Sequence, residues 1–302
     1  MSERAAFISA ILDNLADDTP RLVFADWLQE HGEEARAEFI RCQIEAAKLP
    51  KAKREKSKPA KRTAALLKKH EAEWRKVVPE KQNDYFYQLG GSAPGYYDRG
   101  FLEYIGIYSP EFLDVAGPLL TVEPATIALF LSDVDADEKT VTLKETERLA
   151  ASPCLRAVEA MFSAVVRTNH FARVLQSPHL INVRAIIFVE FSTKAKDVRI
   201  LAAAPALTHL ERLYLSFESY NRKPRDFGDA VRILATSPQF RSLKYLRLDS
   251  EDLDDKHIKA LLTSTTLPRG LHLNLDGSNY DEERFAEALA KRFTGESDRE
   301  ED

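Results

Sequence analysis

Four short segments in the C-terminal half of the chain share one apolar pattern, and this similarity limits the folds open to it. Aligning LINVRAIIF, LERLYL, LKYLRL and GLHLNL makes four positions equivalent, namely Phe188, Leu215, Leu248 and Leu275. The first and the last of the three intervals between these positions are equal. A unit this short cannot bury its apolar face alone. The units must therefore stack on one another and share one core.

Each unit has the pattern of one strand, a loop and one helix. Ten residues after three of the aligned positions, an apolar residue opens a helical stripe, and these residues are Val198, Ile258 and Phe285. In the longest unit, Phe227 takes that role. Most strands follow a proline dipeptide, at Ser152-Pro153, Ser177-Pro178, Ala204-Pro205 and Ser237-Pro238. Proline ends the preceding helix there. The pattern predicts parallel strands with helices on one side.

These residues resemble leucine-rich repeats, especially the ribonuclease-inhibitor-like class. The resemblance implies an α/β solenoid with parallel strands inside and helices outside, within a domain of residues 85–302 and clearest over residues 150–290. The family often has Asn or Cys three positions after the last strand leucine, where this chain has Glu218, Glu251 and Ser278. We therefore expect the ladder of side-chain bonds to neighbouring backbones to be irregular.

The chain before residue 150 continues the pattern less clearly. Met161 precedes Phe188 by the same interval that separates Phe188 from Leu215, which predicts an earlier, degenerate unit beginning near Leu155. Residues 101–107 and 127–131 have the pattern of strands, with a helix between them over 110–119 and another ending near Ala151. Whether residues 101–131 belong to the same stack stays open.

Residues 1–49 predict a small module of three short helices. Apolar residues recur at helical spacing in the first helix. Thr19-Pro20 supplies an N-cap and a first-turn proline for the second helix, and Gly32 ends it. The third helix is predicted from about Glu33 to Leu49. Helices of this length are marginal alone, so they must pack together or on the rest of the chain.

The same module carries a second resemblance. The run LVFADWL at 22–28, then Glu30 and Gly32, then EFIR at 38–41 and Gln43, is similar to the bacterial repeat-companion domain, which precedes leucine-rich-type repeats. Arg99-Gly100-Phe101 resembles that family's entry into the repeats. The resemblance implies a composite bacterial protein and no particular activity. We interpret Trp27 as a core anchor and Asp26 as a cap or ion-pair partner, not as catalytic residues.

Residues 50–84 predict a basic linker followed by a helix. Between Lys48 and Lys81, thirteen Lys and Arg stand against four Glu, which is about +9 in a chain whose net charge is −5. The first part, PKAKREKSKPAK, has no apolar period and predicts a mobile linker, and a helical stripe returns from about Arg62. A solvated linker and a contact with nucleic acid or an acidic partner are the alternatives. Trp74 is the only aromatic residue among these charges, whereas single-strand binders interleave several.

The composition indicates a cytoplasmic protein. The charged, amphipathic N-terminus lacks the apolar core of a secretion signal. No stretch approaches the roughly 18 apolar residues of a membrane span, so we expect no membrane contact. Two cysteines, Cys42 and Cys154, cannot form a disulfide scaffold and are predicted to be buried free thiols. Residues 295–302 form an acidic tail.

Motifs for catalysis or metal binding are weak. Asp133, Asp135 and Asp137 resemble the start of a calcium loop, but Glu138 and Lys144 stand where Gly and Glu are needed. The seven histidines show no zinc spacing, and the chain has no nucleophile elbow and no phosphate-binding loop. We therefore expect no metal, no cofactor and no enzymatic activity.

The strand register predicts three rows of side chains between the inward leucines. The first row is Ala185, Arg212, Tyr245 and His272, the second is Ile187, Tyr214, Arg247 and Asn274, and the third is Val189, Ser216, Asp249 and Asp276. Because Tyr and Arg are enriched at binding hot spots, these rows predict a surface for a protein or peptide. Its predicted binding residues are Arg212, Tyr214, Tyr245, Arg247, Asp249, His272, Asn274 and Asp276.

Three alternatives to this surface stay open. The face is a solvated one on which Arg212 and Arg247 pair with nearby acids, or the chain is a nucleic-acid accessory protein that uses residues 48–81. A cryptic enzyme is the third alternative, and it requires a convergent group of acids with perturbed pKa values.

Overall fold

The computed structural model describes residues 2–77, 96–103, 105–133, 140–163, 166–188, 193–217, 227–249, 253–275 and 280–293. They form an α/β fold with an N-terminal helical region and a seven-stranded parallel sheet. The chain divides into two compact units, residues 1–128 with 156–159 and residues 129–155 with 160–302. Within the described residues, no helix has the length and apolar character needed to cross a membrane.

Twelve helices lie within the described residues. They are α1 (Glu3–Asp13), α2 (Thr19–Glu30), α3 (Glu34–Ala47), α4 (Lys51–Arg54), α5 (Lys58–Trp74), α6 (Phe112–Leu119), α7 (Leu143–Ala150), α8 (Thr168–Leu175), α9 (Ala195–Ala202), α10 (Phe227–Thr236), α11 (Asp255–Leu262) and α12 (Glu282–Arg292). Three 3-10 turns add Arg75–Val77, Pro153–Ala157 and Pro238–Phe240.

The described residues also form nine strands. They are β1 (Tyr96–Asp98), β2 (Phe101–Glu103), β3 (Ile105–Tyr108), β4 (Ile127–Leu131), β5 (Val158–Ser163), β6 (Ala185–Phe188), β7 (Arg212–Ser216), β8 (Tyr245–Asp249) and β9 (His272–Asn274). Strands β1 and β2 form an antiparallel hairpin, and β3 to β9 form the large sheet in chain order. The strands within residues 105–131 therefore belong to the same sheet as the repeated segments, whereas residues 101–103 belong to the hairpin. The single strand predicted over residues 101–107 is thus two strands in different sheets.

The predicted register of the repeated strands is confirmed. Arg212 pairs with Tyr245, and Tyr245 with His272, as the first row requires. In β7 and β8 the leucines are buried and the residues between them are more exposed, which is the alternation of a sheet with one face on a core. Val198, Ile258 and Phe285 lie buried on α9, α11 and α12, as their spacing predicts.

The predicted equivalence of Met161 and Phe188 is wrong by two residues. A strand does form after Leu155, but Met161 pairs with Ile186, and Ser163 pairs with Phe188. This unit is therefore shorter by two residues than the following one. The proline dipeptides carry the correct interval, because the step from Ser152 to Ser177 equals the step from Met161 to Ile186.

A serine turn precedes most of the strand–helix units. The Oγ atoms of Ser152, Ser177, Ser237 and Ser264 each accept a hydrogen bond from the backbone N–H two residues later, at 3.2 to 3.3 Å. This local bond fixes the turn that proline favours. Ser264 also donates to the carbonyl of Ala235 at 2.6 Å, so its side chain bonds the last turn of α10, the helix of the preceding unit.

The N-terminal helices form as predicted, with small shifts at their ends. The predicted N-cap of α2 is wrong by one residue, because Asp18 is the N-cap and Thr19 is the first helical residue. Gly32 follows the helix with a φ of +82°. In the basic segment, α5 begins at Lys58 instead of near Arg62, because Ser57 Oγ caps it by accepting from the N–H of Ala60. Part of the predicted linker is therefore helical.

Candidate functional site

The structure places seven of the eight predicted binding residues, all except Asp276, on neighbouring strands of one sheet face, here called the strand face. Arg212, Tyr245 and His272 share one row, and Tyr214, Arg247 and Asn274 share the next. Asp249 pairs with Ser216 in the third row, whose end members Val189 and Asp276 lie outside the described residues. Parallel strands with a fixed register hold these side chains at strand spacing, so they form one continuous set.

An aromatic stack crosses the strand face. Tyr214 and Tyr245 have ring centroids 4.9 Å apart and planes inclined by 22°, and Tyr245 and His272 are 4.8 Å apart and inclined by 10°. Tyr214 stands one row away from Tyr245, so its ring reaches its neighbour diagonally. All three rings are half-buried. The stack is thus both part of the packing and open to a partner.

The surroundings of Tyr214, at one end of the stack, shift the pKa of its phenol. Burial raises the pKa of Tyr214 above its usual value, although Arg212 and Arg247 act in the opposite direction. The phenol is therefore neutral at physiological pH and keeps an O–H group as a hydrogen-bond donor.

The charged residues of the strand face differ in their surroundings. Arg247 lies 3.7 Å from Asp249, so one of the two anticipated ion pairs is present. Arg212 is exposed, and the described residues place no acid within ion-pair distance of it. Asn274 is only 4% exposed and offers little surface to a partner. The accessible part of the face therefore combines the aromatic stack with two arginines and one aspartate.

A row of alternating charges stands just before these strands. Glu211 lies 3.0 Å from both Arg184 and Lys244, and the three residues follow the same intervals as the strands themselves. The backbone N–H of Lys244 also donates to the Glu211 carbonyl at 2.7 Å. Sequence reasoning missed this row because it stands one position before the first row considered. The same intervals would have found it.

Two phenylalanines extend the apolar character of this face towards earlier strands. Phe162 pairs with Ile187 and therefore belongs to the row of Tyr214 and Arg247. It stacks on Phe130 with ring centroids 4.5 Å apart and planes inclined by 9°. The two-residue misalignment of Met161 hid this relation from the sequence. Phe162 and Phe130 are buried, so they support the face and do not bind at it.

Asp133, the first residue of the run that resembles a calcium loop, makes a structural contact. Asp133 Oδ2 accepts from the backbone N–H of Arg167 at 2.7 Å and from its Nε at 3.1 Å. His170 Nδ1 lies 3.5 Å from Asp133 Oδ1 and 3.1 Å from Thr146 Oγ1. Asp135 and Asp137 lie outside the described residues.

Other acidic and histidine side chains show no metal geometry where the structure describes them. No group of three or more His, Cys, Asp or Glu in the described ranges could hold a metal ion. Asp254 caps α11 by accepting from the N–H of Lys256 at 2.9 Å, and Asp255 pairs with Arg284. Both cysteines are free, and both are half-buried instead of fully buried as expected. Glu251, Glu218 and Ser278 lie outside the described residues.

The conspicuous residues of the N-terminal unit serve its packing. Asp26 forms an ion pair with Arg41 at 2.6 Å, as expected. Trp27 stacks on His31 at 4.0 Å and on Phe24 at 5.9 Å, but it is half-buried instead of buried in the core as predicted. These contacts use the side chains that look catalytic in isolation.

The Arg99-Gly100 dipeptide makes the tight turn between β1 and β2, and both residues have positive φ, 46° and 95°. Gln43 holds this turn by donating to the Tyr97 carbonyl at 3.0 Å and accepting from the N–H of Gly100 at 2.6 Å. Gln43, from the run that resembles the repeat-companion domain, thus contacts the Arg99-Gly100 segment that resembles the entry into the repeats.

A half-buried carboxyl of this hairpin, that of Glu103 at the end of β2, has a strongly perturbed pKa. Burial, followed by the charges of Asp98 and Glu159, raises the pKa of Glu103 to about 7, while Arg99 and Arg21 oppose the shift. Arg99 donates to Asp98 at 2.9 Å and lies 3.5 Å from Asp18. The group is thus a network of ion pairs around a turn, and we interpret Glu103 as part of that network.

Comparison with other proteins adds no identification: no protein-family model matches the chain, and no curated protein or solved structure matches it significantly.

Proposed function

We propose that this chain is a protein-interaction scaffold that binds a protein or peptide on its strand face. The observation that carries the proposal is the half-exposed stack of Tyr214, Tyr245 and His272 with Arg212 and Arg247 beside it. Tyrosine and arginine contribute most strongly at interfaces when a rigid frame holds them, because little side-chain entropy is then lost on binding. Adjacent parallel strands supply such a frame.

The proposal includes the finer fold assignment. Units of strand and helix that repeat at similar intervals, most of them preceded by a serine turn, support a leucine-rich-repeat-like solenoid. The helical N-terminal region and its bond from Gln43 to the Arg99-Gly100 turn support a relation to the bacterial repeat-companion domain. We retain the cytoplasm as the expected compartment, supported by two free cysteines. The scaffold role is non-enzymatic.

The experiment compares partners recovered by affinity purification from the native host. We expect the Tyr214→Ala/Arg247→Ala variant to lose at least about tenfold of a specific partner, which corresponds to about 1.4 kcal/mol. The matched control is Leu143→Ala/Arg148→Ala on α7, which removes an exposed apolar side chain and an exposed arginine far from the stack in sequence. Quantitative mass spectrometry measures recovery for each protein.

The thermal unfolding of each variant decides how a loss is interpreted. A loss in a folded strand-face variant that the folded control variant shares contradicts a role for this face. Equal recovery of every protein by the wild type and the strand-face variant also contradicts it.

A further inference from the structure

Helix α5 (Lys58–Trp74) has two faces of opposite character. Its buried or half-buried face carries Thr63, Leu66, Leu67, His70 and Trp74 and packs against α3. At 100° per residue, the opposite side holds five cations within an arc of about 120°. These are Lys58, Lys61, Arg62, Lys68 and Lys69, and all five are exposed.

Among the described ion pairs, one of these five cations, Arg62, has an acidic partner. Arg62 forms a two-bond ion pair with Glu38 of α3, at 2.6 and 2.5 Å. The ion pairs within the described residues include no acid for Lys58, Lys61, Lys68 or Lys69. No Asp or Glu occurs between Lys58 and His70, and Lys51, Lys53 and Lys56 precede this stretch. We call Lys58, Lys61, Lys68 and Lys69 the lysine stripe.

A stripe like this costs helix stability when it has no partner. Like charges three or four residues apart on a helix repel one another, as Lys58 does with Lys61 and Arg62. The remainder of the chain carries a net negative charge, so the stripe is a local exception and not a consequence of overall composition. Ala65 and Ala72 lie in the middle of the face and leave the lysine heads free to approach a flat or convex charged surface.

The surroundings of the stripe distinguish among polyanions. An interfacial membrane helix needs an exposed apolar face, but the apolar face of α5 packs on α3. A single-strand binder needs free aromatic rings, but Trp74 is half-buried against Phe39 at 4.9 Å and under the Arg36 guanidinium at 4.8 Å. Four lysines spread over about 16 Å of helix suit the phosphates of a duplex, which are read as charge and not as sequence.

We propose that the lysine stripe of α5 binds the phosphate backbone of double-stranded nucleic acid without sequence preference. The lysine stripe shares no residue with the strand face, so either proposal can fail without the other. Lysine heads act here as point charges on phosphates, a kind of contact that positions a protein on a duplex without reading its sequence.

The experiment measures binding of the full chain to a fluorescent duplex of about 25 base pairs over a series of salt concentrations. With four phosphate contacts, we expect the slope of log K against log [salt] to be about −3.6. The variant Lys58→Gln/Lys61→Gln/Lys68→Gln/Lys69→Gln should bring the slope close to zero. Glutamine and lysine have similar helix propensity, so α5 should stay folded, which circular dichroism checks.

A matched control separates the stripe from net charge. The variant Lys144→Gln/Lys196→Gln/Lys259→Gln/Lys291→Gln removes four exposed lysines from α7, α9, α11 and α12 and should keep the wild-type slope. No binding at about 50 mM salt, or equal loss in both variants, overturns the proposal. Equally tight, stripe-dependent binding of polyglutamate or of a single strand overturns the assignment to a duplex.

Discussion

Arg36 and Arg212 show how differently two regions of the molecule use the same side chain. Arg36, in the N-terminal unit, is buried, bonds Glu123 at 2.6 Å and has four aromatic rings within 6 Å of its guanidinium. Arg212, on the strand face, is exposed beside an aromatic stack. The first arginine contributes to folding, and the second is available to another molecule.

The same contrast holds for aromatic residues. In the N-terminal unit, Phe24 stacks on Phe101 at 6.0 Å and Phe39 contacts Tyr97 at 5.4 Å, and all four rings are buried. On the strand face the rings of Tyr245 and His272 are half-buried. Residue type alone therefore does not mark a binding site, and the position within the fold decides.

Breaking the buried ion pair between Arg36 and Glu123 should lower the free energy of unfolding more than any other substitution proposed here. Arg36→Met leaves Glu123 buried without its cation, and we expect the free energy of unfolding to fall by about 3–5 kcal/mol. Arg41→Ala, which breaks the exposed pair with Asp26, should cost less than about 1 kcal/mol. Urea unfolding measures both. Equal losses for the two variants would contradict the structural role given to Arg36.

Replacing Gly100, the glycine of the hairpin turn, should cause the second-largest loss of stability. Gly100 has positive φ, and an added Cβ would collide with the side chain of Ile40 and lie 2.8 Å from its Cα. Backbone strain and this overlap together should cost Gly100→Ala about 2–4 kcal/mol. Gly32→Ala has comparable φ with open space around it, so it should cost about 1–2 kcal/mol. Similar thermal shifts for both variants would show that the overlap with Ile40 is relieved.

The perturbed carboxyl predicts an unusual pH dependence. Because the pKa of Glu103 is raised to about 7 in the folded chain, the folded state binds more protons than the unfolded state between pH 4.5 and 7. Its contribution to stability is present at low pH and is lost as pH rises through 7. Glu103→Gln should therefore add on the order of 2 kcal/mol at pH 8 and nothing at pH 4. A constant difference between variant and wild type at every pH would exclude this assignment.

The aromatic stack should contribute least to stability. Tyr245→Ala removes the central ring and should cost about 1–2 kcal/mol, whereas Arg212→Ala should stay within about 0.5 kcal/mol. Differential scanning calorimetry can resolve the two. A loss above about 3 kcal/mol for Tyr245→Ala would place this ring in the core, and the strand face would then resemble the N-terminal unit.

The sequence predicted the local periodicity better than the long-range contacts. The rows through Arg212 and Tyr214 follow from a two-residue alternation and fixed intervals, so they could be predicted without coordinates. The first unit was misplaced by two residues because the leucine pattern fades there, although the Ser152 and Ser177 turns kept the interval. The start of α5 was missed because the Ser57 cap lies in a stretch with no apolar period.

Contacts between distant segments were beyond this reasoning. The pairing of Arg36 with Glu123 joins residues 87 positions apart, and the perturbed pKa of Glu103 depends on Asp98 and Glu159. No periodic pattern encodes either one. Asn274 was predicted at the face from its row, which is correct, but its burial depends on its surroundings at the edge of the sheet.

Site-specific photocrosslinking in the native host tests the strand face most directly. A photoreactive amino acid replaces exposed Arg212 on β7, and in a control it replaces exposed Arg232 on helix α10. We predict a discrete crosslinked product of higher mass from position 212 and none from position 232. The same product from both positions, or none from position 212 in a folded and expressed protein, would contradict the proposal that the strand face binds a partner.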